Sequence, residues 1–90
     1  MPATTMRFIS DSGHGWLEVP TVDVLTAGVA PSRYSYLDAA TGMSYLEEDR
    51  DASAYLHAVG CTFDLAVVWG GIKDVYINGD CWVRDLPRYA

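Results

Sequence analysis

The chain has 90 residues, half of them hydrophobic and 20% charged, which allows one domain with a single modest core and argues against a disordered acidic tail or a large internal active-site cavity. Twelve acidic residues stand against six basic ones, a formal net charge of −6, so the surface field repels phosphate backbones and anionic lipid heads while attracting Lys/Arg-rich surfaces. Direct nucleic-acid binding and membrane association are therefore not expected, and no apolar run approaches the ~20 residues that cross a bilayer.

Residues 1–90 read as one domain, with 1–5 an unstructured lead-in that has no apolar core of signal-peptide length. Arg7-Phe8-Ile9-Ser10 is a short strand, Asp11-Ser12-Gly13-His14-Gly15 a turn-rich break, and Trp16-Leu17-Glu18-Val19 a second strand, together an irregular hairpin. Pro20 ends that strand. Thr21 is then the expected N-cap of a helix of about two turns, with Val22, Leu25 and Val29 on its apolar side and Gly28 as its stop. Tyr34-Ser35-Tyr36-Leu37 and Met43-Ser44-Tyr45-Leu46 flank a five-residue loop ending in Gly42 and form a second hairpin, whose alternation puts Tyr34 and Tyr36 on one face.

Four carboxylates crowd Glu47-Glu48-Asp49-Arg50-Asp51 just before the clearest helix, whose Ala52, Tyr55, Leu56 and Val59 fall at i, i+3, i+4 and i+7 ahead of Gly60. Asp49 or Asp51 is the expected cap, facing the positive end of the dipole, with the remaining carboxylates pointing outward. Phe63 to Trp69 is a nearly continuous apolar run of strand length. Asn78-Gly79, between Asp74-Val75-Tyr76-Ile77 and Asp80-Cys81-Trp82-Val83, is the strongest hairpin signal in the chain. The resulting order, ββ-α-ββ-α-βββ, predicts an α+β fold, a mainly antiparallel sheet with two short helices on one side.

No complete catalytic set accompanies these elements. His14 lies between two glycines and reads as a structural turn residue, since a triad needs fixed geometry that nearness in sequence does not supply. The glycines around it lack the Lys-Ser/Thr ending and following helix of a phosphate cradle, and the acidic run lacks the glycine-turned calcium loop. Cys61 and Cys81, twenty positions apart, fit no zinc spacing and read as reduced thiols, with a bridge between them left open. No catalytic residue, metal or cofactor is expected. The readable alternative is a contact surface made of Glu47, Glu48, Asp49 and Asp51 together with Tyr34 and Tyr36, because Tyr and Trp anchor interfaces while carboxylates steer a basic partner. Tyr34, Tyr36, Tyr45 and Tyr89 are the tyrosines expected at the surface.

Asp11-Ser12-Gly13-His14-Gly15-Trp16, Gly28-Val29-Ala30, Tyr34-Ser35-Tyr36 and Tyr45-Leu46-Glu47-Glu48-Asp49 with Asp51-Ala52 resemble, in order and spacing over roughly residues 7–58, small proteins of unknown function carried by bacteriophages, prophages and plasmids of Gram-negative bacteria. That group usually has Pro at position 12 and often Cys at position 50, where this chain has Ser12 and Arg50. The resemblance implies a habitat, the cytoplasm of a bacterial host, and no mechanism. Small acidic proteins of mobile elements include anti-CRISPR inhibitors that offer carboxylates to a basic nucleic-acid channel. By analogy of size, charge and source, the expected partner is a host protein with a basic surface, such as a CRISPR-Cas component. A virion-associated or accessory interaction module without inhibitory action is the alternative.

Overall fold

The computed structural model describes residues 6–60 and 72–89. The lead-in 1–5, the expected strand Phe63–Trp69 and Cys61 lie outside these described residues.

Strands β1 (Met6–Ser10) and β2 (Gly15–Pro20) form the first expected hairpin, paired antiparallel from Arg7 opposite Glu18 to Ser10 opposite Gly15. Alternation sends Met6 and Phe8 to one face and Arg7 and Ile9 to the other. Glycine at position 15 leaves room for the Phe8 ring, which lies across it: a Cβ there would sit 2.3 Å from the ring's tip, so the ring would have to move.

Helix α1 (Thr21–Thr26) follows β2 directly, but it is not capped or oriented as its spacing predicts. Thr21 is inside the helix and its hydroxyl is 2.8 Å from the Ser44 hydroxyl, while its N–H donates to the Gly42 carbonyl at 2.8 Å. These two ties fix the rotation of so short a helix. Val24 therefore faces the sheet, and Val22 and Leu25 are 65% and 72% exposed.

Strands β3 (Tyr36–Asp38) and β4 (Met43–Glu47) make the second expected hairpin around the Asp38–Gly42 loop. Tyr34 is not part of the strand, because Ser32 to Ser35 form a turn in which the Ser35 N–H donates to the Ser32 carbonyl. Helix α2 (Asp51–Ala58) buries Ala52, Tyr55 and Leu56 as its periodicity requires, but leaves Val59 exposed beyond its end.

Strand β5 (Ile72–Tyr76) pairs parallel with β1, so the five-stranded sheet, ordered β3-β4-β2-β1-β5, is mainly antiparallel as expected but mixed. The domain is α+β, and both helices pack into one core with Met6, Leu17, Val19, Leu46 and Ile72. A second cluster, Ile9, Trp16, Tyr36, Tyr45, Cys81 and Val83, covers the opposite face.

The Asn78-Gly79 hairpin does not form. Gly79 has a positive φ of 95°, as a tight turn needs, but the chain beyond it becomes a short 3-10 helix at Trp82–Asp85 instead of a returning strand. Asp11 explains the difference. Its carboxylate accepts from the backbone N–H of Cys81 and, in a two-pronged pair, from Arg84 at 2.8 and 2.9 Å. This draws Cys81 and Val83 onto the sheet face, where both are buried and the Cys81 thiol is free. Burial of apolar side chains on this scale, about 1.5–3 kcal/mol each, outweighs the preference of one dipeptide for a hairpin.

Arg84 holds the Asp11 carboxyl well below the usual carboxylate range, helped by the backbone N–H groups of His14, Gly13 and Cys81 and opposed by burial. A depressed folded-state pKa contributes stability that is complete above the unfolded value, about 3.9, and that is lost as pH falls through it toward the folded value. Asp11→Asn should therefore cost about 2–4 kcal/mol near neutrality, by leaving Arg84 unmatched. It should also flatten the loss of stability between about pH 5 and about pH 2 seen in the parent chain, as measured by urea denaturation across that range.

Candidate functional site

The face opposite the helices is organised in rows that run across the strands. In one row Arg7, Glu18 and Tyr45 are direct neighbours on β1, β2 and β4. Arg7 donates through Nε and Nη2 to the two Glu18 oxygens at 2.7 and 2.5 Å, and the Tyr45 hydroxyl donates to Glu18 at 2.8 Å. Arg7 pulls the Glu18 carboxyl below its ordinary pKa, while burial, reinforced by Glu18, pushes the Tyr45 hydroxyl up. Trp82 stands edge-on to Tyr45 with ring centroids 5.1 Å apart. This row is fully committed to holding the face together.

The adjacent row, Glu47, Trp16 and Ile9, runs across β4, β2 and β1, and over it opens a cleft of about 310 Å³. Trp16 and Tyr36 form its floor, in edge-to-face contact at 6.0 Å. His14 and Tyr34, the acidic Glu47 and Asp49, and the basic Arg84 and Arg88 complete its lining. Arginines and rings alternate here: Arg84 lies over Trp16 at 5.2 Å, Arg88 over Tyr36 at 5.5 Å and Arg33 over Tyr34 at 5.6 Å. Arg84 is matched by Asp11, whereas Arg88 makes no ion pair among the described residues.

Two carboxylates that bond backbone position parts of this lining. Asp11 holds the Gly13 and His14 N–H groups at 2.9 Å, which shapes the turn carrying His14. Glu47 accepts from the N–H groups of Asp49 and Arg50 at 3.0 Å, so the turn into α2 is closed by Glu47 and not by the expected caps. Asp49 is exposed, with its side chain unpaired among the described residues. Asp51 is only 4% exposed, and one of its oxygens accepts from the Ser32 N–H, the Ser32 hydroxyl and the Ser35 hydroxyl.

The acidic run is thus divided in use. Glu47 and Asp49 line the cleft together with Tyr34 and Tyr36. Glu48 is exposed but does not line it, and Asp51 is withdrawn from the surface as a brace beneath the Ser32–Ser35 turn. Tyr34 is 52% exposed as expected, whereas Tyr36, also expected at the surface, is only 6% exposed because it packs with Trp16 and Tyr45 in the second cluster. Tyr45 is buried and Tyr89 is half-buried with its hydroxyl on Ser44, contrary to expectation; among the described residues Tyr76 and Trp82 are further exposed aromatics that the spacing does not point to.

Trp16, Arg84 and Arg88 belong to the cleft and were not singled out by spacing. Strand alternation does put Trp16 and Glu18 on one face, but nothing local joins either to arginines about seventy positions away. The His14 imidazole is tilted against Trp16 with ring centroids 6.2 Å apart and hydrogen-bonds to no carboxylate among the described residues. The arrangement is suited to stacking and ion pairing.

The three carboxylates should separate in denaturation experiments. Asp51→Ala, which strands the buried Ser35 hydroxyl and both Ser32 donors, should cost about 2–3 kcal/mol. Glu47→Ala, which opens the turn before α2, should cost about 1 kcal/mol, and Asp49→Ala should stay within about 0.5 kcal/mol of the parent. A largest loss at Asp49 would contradict the assignment of caps.

No family model matches this chain, and no curated protein or solved structure is found similar to it, so its function has to be read from the cleft and the charge around it.

Proposed function

We propose that this chain is a binding protein that occludes a basic, nucleic-acid-binding surface of a bacterial host protein, in the manner of the small acidic inhibitors carried by mobile elements. The observation that carries the reading is the convergence on one cleft of Tyr34, Tyr36, Glu47 and Asp49, a pairing of aromatic anchors with carboxylates in a chain of net charge −6. Charge brings a basic partner in quickly, and the rings hold it once water is displaced. Glu48, beside the cleft and exposed, adds to the attractive field. The resemblance to phage and plasmid proteins supplies the setting, with a CRISPR-Cas component as one such target.

The test is capture of host proteins on the immobilised chain at low salt, followed by identification and purification of the partner and competition with duplex DNA. Binding should be released by DNA. Its association rate should drop steeply between about 50 and about 500 mM salt, where screening shortens from well over 10 Å to a few ångströms. Glu48→Lys combined with Asp49→Lys, which spares the Glu47 cap, should abolish capture without lowering the melting temperature. Capture that survives both the charge reversal and high salt, or a partner indifferent to DNA, would sink the reading.

A further inference from the structure

The reading above leaves the anchoring group of the partner unspecified, and the inference below rests on that reading. Trp16 is 2% exposed, yet its indole N–H has no acceptor among the described residues. No fully enclosed side-chain nitrogen or oxygen there lacks a partner. The N–H must therefore reach solvent, and Trp16 is one of the residues that line the cleft. A donor set in an aromatic floor favours an occupant that brings an acceptor.

The charged lining residues say what else that occupant carries. The Asp49 carboxylate is unpaired among the described residues, and each Glu47 oxygen, with one backbone N–H already bound, keeps a further lone pair. Arg88, also in the lining, carries a charge without an ion-pair partner among the described residues. A cation is thus drawn to Glu47 and Asp49, while an acceptor is favoured by the Trp16 N–H and by Arg88. A peptide segment with a basic side chain satisfies both demands at once.

Guanidinium fits better than ammonium. Three rings of this site already hold guanidinium groups at 5.2 to 5.6 Å, and Tyr34 keeps about half its surface open beyond the face that Arg33 covers. A planar guanidinium stacks on a ring and pairs with carboxylates in the same pose, whereas a compact, strongly hydrated ammonium must give up water to do either. We infer that the cleft seats an arginine of the partner, its guanidinium against Tyr34 and paired with Asp49 and Glu47, while a backbone carbonyl of the same segment accepts from the Trp16 indole N–H.

Titration of the full, isotope-labelled chain with N-acetyl-arginine amide and N-acetyl-lysine amide, read by nuclear magnetic resonance, tests this directly. The arginine probe should shift the Trp16 indole N–H and the Asp49 and Arg50 amides along one saturating curve, and the lysine probe should bind about tenfold more weakly. Tyr34→Ala and Asp49→Asn should each weaken the arginine probe by about tenfold with melting temperatures unchanged. Equal affinities for the two probes, or arginine shifts that leave the Trp16 indole untouched, would overturn the inference. Oligo-arginine and oligo-lysine at low salt separate the two levels: equal, salt-sensitive binding of both retires the arginine pocket and keeps the basic-partner reading, whereas binding of neither retires both.

Discussion

The Asp11 carboxylate joins parts of the chain that are 73 positions apart, the turn after β1 and the 3-10 helix bearing Arg84. One side chain accepts from Gly13, His14, Cys81 and Arg84, so the hairpin turn, the path of the C-terminal segment and the burial of Cys81 and Val83 all depend on it. Both His14 and Arg84, which line the cleft, take their positions from this one group. A pair so enclosed has given up water on the carboxylate side, and the additional backbone N–H donors offset that loss where the ion pair alone would not.

Carboxylates elsewhere act in the same way, as acceptors for the protein's own donors. Asp51 gathers the Ser32–Ser35 turn, Glu47 closes the entry to α2, and Glu18 is shared between Arg7 and Tyr45. The acidic composition is therefore partly architectural. The two ion pairs among the described residues each remove one charge of either sign from the exterior, which leaves the excess of negative charge intact for a partner to sense.

What was legible in the sequence was what local pattern decides. The two hairpins before α2 and the buried face Ala52, Tyr55, Leu56 follow from period, glycine placement and turn composition, and the structure has them. The apolar side of α1 was misread because two backbone and hydroxyl ties, to Gly42 and Ser44, set the rotation of a six-residue helix more firmly than its own periodicity could. The last hairpin was misread because Asn78-Gly79 describes only its own turn, while the pull on the segment after it comes from Asp11. For the cleft, Tyr34, Tyr36, Glu47 and Asp49 were readable as residue types that meet partners, but Trp16, Arg84 and Arg88 enter through long-range register, which no spacing rule contains. The neighbouring carboxylates Asp49 and Asp51 are alike in sequence and opposite in role, since only burial distinguishes a brace from an open charge.

The outer edge of β3 is already taken. Arg88 bridges to Tyr36, the Leu37 N–H donates to the Pro87 carbonyl at 2.8 Å, and the Tyr89 N–H donates to the Ser35 carbonyl at 2.9 Å. Main-chain groups next to the cleft are thereby spent, and a visiting polypeptide finds no strand there to extend. Recognition on this side falls to side chains alone, and a surface of that kind can be re-aimed at a changed target by single substitutions at its rim while the sheet beneath it stays the same.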